Sequence, residues 1–391
     1  MNKKTSKSKS ASLKKSRSMT RRKFLAATAA SVGGAATIGF PAIVKAQQVT
    51  SLRFQSTWPT KDIFHEYALD FAKKVNDMTG GELKIEVLPA GAVVPAFGLL
   101  DAVSKGTLDG GHGVLVYHYG KQNALALWGS SPAFAMDANM LLSWHKYGGG
   151  KELLEKVYQS IGANVVSFPY GPMPTQPLGW FKKPITKVAD FKGLKFRTVG
   201  ISIDLFTGLG AAVTALPGGE IVPAMDRGLI DAAEFNNASS DRLLGFADVS
   251  KVYMLQSYHQ NAEQFEVTFN KTKYDALPQK LRAIIAYAVE AASQDMSWKA
   301  IDRYSKDYIE LQTKDKVKVY KTPDSVLQKQ LDIFDGVMAK YSAANPLFKE
   351  VIESQRKFAE RAVRWQLDTQ VSTRMAYNHY FGPKKPAPKK T

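Results

Sequence analysis

The chain reads as an α/β protein built from two similar lobes. Three observations carry that reading. Strand and helix patterns alternate from residue 53 onward, one nine-residue segment returns roughly 130 residues later, and beyond Pro278 the pattern turns almost wholly helical.

The first lobe opens on Arg53-Phe54-Gln55-Ser56-Thr57, which alternates as a strand and is followed by Trp58-Pro59. A helix is predicted over 63–79, because Phe64, Tyr67, Ala68, Phe71 and Val75 recur on one face, and Gly80-Gly81 stops it. Residues 83–88 alternate again as a strand. A Pro/Gly turn then leads to a helix through Leu99, Leu100, Ala102 and Val103, ended by Gly106. Strand, helix, strand, helix is the rhythm of a parallel sheet.

The run 88–96 (LPAGAVVPA) is echoed by 216–224 (LPGGEIVPA), and each copy is followed by a helix, a glycine stop and an acidic strand start. In the first copy these are Gly106 and Asp109, in the second Gly228 and Asp231. Two copies at this distance imply two lobes, whereas a solenoid needs at least three shorter-period repeats. The remainder is predicted as helices over 279–313, 324–342 and 347–377, with a short strand over 317–320.

The net charge of +18 suggests a nucleic-acid partner until it is partitioned. Residues 1–46 carry eleven basic and no acidic side chains, and Lys384, Lys385, Lys389 and Lys390 add four more, so the body between them carries only +3. That leaves no electrostatic case for DNA or RNA. The absence of cysteine from the sequence excludes disulfides, thiolate metal sites and thiol catalysis, so any metal is held by oxygen or histidine.

Near the amino terminus, Thr20-Arg21-Arg22-Lys23-Phe24-Leu25 precedes an Ala/Gly-rich apolar stretch ending at Val44-Lys45-Ala46, the layout of a twin-arginine export signal. The stretch is broken by Gly33, Gly34, Gly39 and Pro41, and no basic stop-transfer cluster follows it, which argues against a permanent anchor. The expected location is therefore periplasmic.

Familiar catalytic signatures are missing. Gly208-Leu209-Gly210 lacks the third glycine of a dinucleotide fingerprint and reads as a helix C-cap. His65-Glu66 is followed by Leu69 where a zinc helix needs its second histidine, and no GxSxG elbow is present. The six histidines are scattered without ligand spacing.

Three runs together carry a family resemblance: 89–91 through Gly106, Leu108, Asp109, Gly111, His112 and Gly113; Leu194-Lys195-Phe196-Arg197; and 223–234 (PAMDRGLIDAAE). In this order they resemble the solute receptors of tripartite ATP-independent periplasmic (TRAP) transporters, over nearly all of the chain after residue 46. The run Tyr147-Gly148-Gly149-Gly150, Glu234 with Phe235, and the segment 251–260 are similar to the branch that binds 2-oxo acids and lactate.

The resemblance implies a two-lobed periplasmic binding-protein fold with hinge-connected lobes, closing on a small organic acid and delivering it to the membrane permease subunits. The resemblance thus implies a receptor and not an enzyme. The implied organisation is a signal over 1–46, lobe I over 47–170 plus 265–322 and lobe II over 171–264. Helices over 323–380 brace the lobes or form a dimer, so the chain is a monomer or homodimer, and a basic tail over 381–391 is expected to be disordered.

By the same resemblance, Arg197 grips the ligand carboxylate, a planar guanidinium offering two parallel donors. A cation, sodium or calcium, bridges the substrate through Gln176, Glu234, the Phe235 backbone and Gln260, all hard oxygen ligands. Gln176 and Phe235 also line the substrate. Among first-lobe aromatics, Trp58 and Tyr117 are the expected pocket walls, with Phe64, Tyr119 and Phe134 as further candidates. The polar run 236–240 after Phe235, in place of the tryptophan common in that branch, favours a longer or hydroxylated acid. Two other readings stay open: a secreted enzyme using Glu234 as base with His259 nearby, and a sensory binding protein.

Overall fold

A computed structural model describes residues 49–383; the expected export signal (1–46) and the lysine/proline stretch from 384 lie outside the described residues. The strands fall into two sheets. The first has the order β2 (Leu83–Leu88), β1 (Thr50–Ser56), β3 (Gly110–Val114), β10 (Glu263–Asn270), β4 (Val165–Met173). β1 runs parallel to both β2 and β3, while β10 lies antiparallel between β3 and β4.

The second sheet has the order β11 (Lys318–Lys321), β9 (Val252–Leu255), β5 (Gly179–Phe181), β8 (Ala232–Ala233), β6 (Lys195–Arg197), β7 (Ala212–Thr214). Lys318–Lys321, expected with the first lobe, instead pairs parallel with β9, because helix Gln279–Thr313 carries the chain across to the second sheet before the strand begins.

The echo marks equivalent places in the two sheets. Asp109 donates its N–H to the Arg53 carbonyl and accepts the Arg53 N–H on its carboxylate, at 2.9 and 2.6 Å. Asp231 does the same with Lys195, at 2.8 and 3.2 Å. Gly106 and Gly228, at φ +77° and +70°, end the preceding helices in the left-handed conformation that a side chain would resist. The echoed residues themselves differ in conformation. The first copy turns through 89–95 before helix Leu99–Ser104, whereas the second is itself the helix Gly218–Asp226, with Pro223 inside it.

Helix Ile63–Met78 buries its predicted face against the first sheet and is capped by Asp62, whose carboxylate accepts the Phe64 N–H. Helix Gln279–Thr313 packs on β4, on helix Ile63–Met78 and on helix Ala238–Leu244 beside the second sheet. Arg242 fastens that last contact, reaching Asp307 at 3.0 Å, Glu310 at 2.6 Å and Asp315 at 2.7 Å. The helix expected over 347–377 is two helices, Pro346–Thr369 and Thr373–Phe381. Gln370 leaves helical geometry, and Ser372 caps the second piece through the Met375 N–H. Among the described residues no helix is long and apolar enough to cross a membrane.

Candidate functional site

Besides helix Gln279–Thr313, the chain passes between the sheets in two neighbouring segments, residues 174–178 from β4 to β5 and 256–262 from β9 to β10. The Gln176 N–H donates to the Gln260 carbonyl at 3.1 Å, and the Thr175 hydroxyl donates to the Asn261 carbonyl at 2.9 Å, so the crossings are tied side by side. Asn261 braces them further, donating to the carbonyls of Ser131 and Met136 on either side of Ala133, Phe134 and Ala135. Those three residues all hold left-handed backbone, which costs on the order of 1–2 kcal/mol each. Strain of this kind persists only where neighbouring contacts over-determine the conformation, and here the contacts hold Gln176 and Gln260 in place.

A narrow cavity of about 20 Å³ lies against these crossings, little larger than a water molecule. Trp58 follows β1, Tyr117 follows β3, Arg197 ends β6 and Phe235 follows β8, so the walls come from the carboxyl ends of strands, where open α/β sheets gather ligand groups. Gln176 and Gln260 complete the polar side. Seven of the sequence-derived residues, Arg197, Gln176, Trp58, Tyr117, Phe64, Phe235 and Gln260, thus line one cavity.

Glu234, the remaining expected cation ligand, lies behind them. β6 and β8 run parallel with Arg197 opposite Ala233, so the next residue on β8 falls beside the guanidinium. Arg197 Nη1 donates to Glu234 Oε1 at 2.8 Å and to the Glu234 carbonyl at 3.1 Å, and Nε donates to the Leu216 carbonyl at 2.8 Å. The pair is 1% and 0% exposed. Four buried polar atoms of these residues have no hydrogen-bond partner among the described residues: Arg197 Nη2, Glu234 Oε2, Gln176 Oε1 and Gln260 Oε1. Leaving such atoms unpaired is costly, about 1–3 kcal/mol each and more for charged groups. One donor and three acceptors are therefore poised for a missing partner.

The aromatic wall is continuous. Trp58 meets Phe64 at 4.9 Å, Tyr117 at 5.8 Å and Phe265 at 5.7 Å between ring centres, and Phe64 meets Phe235 at 5.9 Å across the gap between the sheets. Trp58 Nε1 donates to His112 Nδ1 at 2.8 Å, which fixes the indole. Burial, with the His65 charge second, holds His112 down to about 3, so the imidazole stays neutral and able to accept. The Arg197 guanidinium stands 5.8 Å from the Phe235 ring centre, and burial pushes the Tyr117 hydroxyl well up.

Two wall candidates lie elsewhere. Tyr119 turns away to hydrogen-bond Asp204 at 3.0 Å and Tyr341 at 2.6 Å, and Phe134 packs under the Arg356 guanidinium at 5.1 Å. Residues 115–118 form a 3-10 turn, so Tyr117 and Tyr119, which would share one side of an extended chain, diverge.

Glu263, at the start of β10, is a lining residue that sequence reasoning passed over. It accepts the Gln176 Nε2 donor at 2.9 Å, and burial, with the Glu234 charge second, pushes its carboxyl up to about 8. Burial also raises Glu234, against the opposing pull of Arg197. No group of three or more His, Cys, Asp or Glu able to hold a metal occurs among the described residues. A cation held here would draw on amide and peptide oxygens beside at most two carboxylates, and the unpartnered Gln176, Gln260 and Glu234 oxygens are hard donors of the kind such an ion takes.

Two α/β sheets joined by paired crossings, with an unsatisfied buried guanidinium between them, define a hinged solute-binding protein. The sequence profile of the bacterial extracellular solute-binding proteins, family 7 (DctP), matches residues 54–344. The chain belongs to that family.

A monocarboxylate 2-oxoacid-binding periplasmic protein of a Nostoc species is 32% identical over 320 residues, covering 82% of this chain and 87% of its own length. A TRAP periplasmic solute binding protein of Pseudoalteromonas atlantica, solved with bound sodium and pyruvate, superposes with a TM-score of 0.78 at 30% identity, covering 85% of this chain and 99% of that one. A TRAP transporter solute binding protein of Bordetella bronchiseptica, solved as a mixed-occupancy dimer with calcium and picolinate, gives 0.79 at 28% identity, covering 85% of this chain and 97% of that one.

Proposed function

We propose that the chain is the periplasmic receptor of a TRAP transporter for a small 2-oxo or 2-hydroxy monocarboxylate, exported through the twin-arginine signal at residues 1–46. The observation that carries this is Arg197 Nη2, a buried guanidinium donor left over after Nη1 and Nε are satisfied. A guanidinium already fixed by Glu234 and Leu216 presents its remaining edge to an incoming carboxylate with little entropy to lose. The Nostoc relative's name, and the pyruvate and picolinate of the two solved relatives, agree in chemical class.

In this reading the ligand carboxylate meets Arg197 and Gln176, the Phe235 ring and Trp58 exclude water, and Tyr117 closes the far wall. Gln176, Glu234, the Phe235 carbonyl and Gln260 are the residues that hold a sodium or calcium ion, which adds positive charge beside the acid's oxygens. A space this narrow admits a ligand only when the lobes part. The ligand then favours the shut form by touching both sides. Lobe I is the first sheet with its helices, lobe II the second sheet including β11, and the 174–178 and 256–262 crossings are the hinge. Ser240 Oγ to Asp62 at 2.6 Å and Lys61 Nζ to the Leu244 carbonyl at 3.3 Å hold the shut form together.

The enzyme reading loses support from His259. Its Nδ1 sits 2.7 Å from Ser257 Oγ, its ring packs on Phe206 and it does not line the cavity, while Glu234 is held by Arg197 and is no free base. Helix Thr373–Phe381 has no buried residue and exposes Met375, Tyr377, Tyr380 and Phe381, which favours a homodimer over a monomer for the working form.

A thermal-shift panel of pyruvate, lactate, 2-oxobutyrate, succinate and glucose tests the proposal. The monocarboxylates are expected to raise Tm, since a hundredfold excess over Kd contributes about 2.7 kcal/mol to the folded state. NMR of the same mixtures is expected to show the acids unchanged. No shift with any monocarboxylate, or the appearance of a product, contradicts the reading.

A further inference from the structure

Asn236 follows Phe235 and lines the cavity, itself 3% exposed. A chain of hydrogen bonds that begins at the backbone fixes which way its amide points. The Ser239 and Ser240 N–H groups lie 3.0 and 2.9 Å from Asn237 Oδ1 and can only donate, so that atom is the amide oxygen and Asn237 Nδ2 is a donor. Asn237 Nδ2 stands 2.8 Å from Asn236 Oδ1, which therefore accepts. That turns the Asn236 NH2 group toward Met173 Sδ at 3.4 Å, and Met173 is a lining residue too. Asp241 Oδ1 holds the backbone of the pair, accepting the Asn236 N–H at 3.2 Å and the Asn237 N–H at 3.3 Å.

A thioether is a weak acceptor, and a primary amide has two hydrogens to give. Among the described residues the sulfur is the one acceptor that Asn236 Nδ2 reaches. The other polar groups of the wall are occupied: in the receptor reading Arg197, Gln176 and Gln260 meet the carboxylate and the ion, Glu263 accepts from Gln176, and the Trp58 N–H goes to His112. A preorganised and underused donor thus remains at the cavity wall, with the Tyr117 hydroxyl as its one rival.

We propose that Asn236 is a specificity-determining residue, donating to a hydroxyl or carbonyl oxygen that the acid carries beyond C2, so that the receptor prefers such acids to their alkyl counterparts. The inference rests on the receptor reading given above and narrows the substrate class within it. An alkyl carbon placed here leaves the buried amide with only sulfur for a partner, whereas an oxygen gives it a full acceptor. A site that hydrogen-bonds a ligand oxygen rejects the analogue lacking it far better than an apolar wall rejects by size.

Hydroxypyruvate and 2-oxobutyrate differ only in a terminal hydroxyl against a terminal methyl. The test is calorimetric titration of each into the purified protein, in one buffer containing sodium and calcium chloride. Wild type is expected to bind hydroxypyruvate about tenfold more tightly, the scale of one net hydrogen bond. In Asn236→Leu, close to asparagine in shape, that ratio is expected to fall to about one or to reverse. In Met173→Leu, which removes the competing sulfur and keeps the volume, the ratio is expected to rise above wild type. Wild type without a preference for hydroxypyruvate, or Met173→Leu with a ratio no higher than wild type, overturns the inference and leaves the receptor reading standing. Asn236→Leu with the wild-type ratio also overturns it, passing the role to Tyr117. Should Asn236→Leu fail to fold, the wild-type and Met173→Leu ratios decide by the same criteria. Pyruvate bound by wild type while neither larger acid binds likewise overturns the inference alone. If no monocarboxylate binds, the receptor reading and the inference fall together.

Discussion

Arg197→Met is expected to abolish pyruvate binding and to lower folding stability by about 3–5 kcal/mol, the usual consequence of removing one partner of a buried ion pair. The sequence analysis treats this arginine as a ligand group. The structure makes it structural as well, because Glu234 at 0% exposure loses its cation partner and the Leu216 carbonyl loses its donor. The two roles separate in the double variant Arg197→Met with Glu234→Gln. Removing the stranded charge is expected to restore much of the stability in urea denaturation, while calorimetry still detects no pyruvate binding. Binding retained in either variant removes Arg197 from the ligand site, and a single variant as stable as wild type contradicts the ion-pair account.

Trp58→Ala is expected to cost about 3–5 kcal/mol, the range for deleting a large aromatic from a core. The residue is 1% exposed, touches Phe64, Tyr117 and Phe265, and supplies the donor that satisfies His112 Nδ1. Truncation leaves a void at the cavity wall and an unpartnered imidazole nitrogen. Trp58→Phe keeps most of the packing, loses the hydrogen bond and is expected to fall between the two. Because the same indole is core filler on one side and cavity wall on the other, affinity for pyruvate is expected to drop in both variants. In Trp58→Ala bulkier monocarboxylates are expected to gain relative to pyruvate. Full pyruvate affinity in Trp58→Ala, measured below its melting temperature, shows that the ring serves packing alone.

The helices and first strands are legible in the sequence because their periodicity is undisturbed. Residues 83–88 and 279–313 begin and end where alternation, Pro278 and the glycine stops place them. The lobe echo is legible for a physical reason too, since Asp109 and Asp231 perform the same pairing with the neighbouring parallel strand, β1 or β6. The crossings at 174–178 and 256–262 have no period, so nothing local shows that Gln176 and Gln260 lie side by side, and only the family resemblance brought them together. Glu263 was hidden by the alternation of β10. Charged and polar residues interleaved with Phe265, Val267 and Phe269 read as a half-exposed strand, yet β10 lies between β3 and β4 and is covered on both faces. The break at 370–372 was invisible because Val371 and Thr373 interrupt the helical pattern no more than the residues around them.

The most direct measurement is a crystal structure of the protein grown with pyruvate and calcium. The acid is expected between the two sheets, its carboxylate within hydrogen-bond reach of Arg197 Nη2 and the ion against Gln176, Glu234, Phe235 and Gln260. Pyruvate bound instead in the separate cleft of about 520 Å³ lined by His145, Lys151, Tyr158 and Lys271, with the Arg197 edge still unpaired, contradicts the assignment of the ligand site.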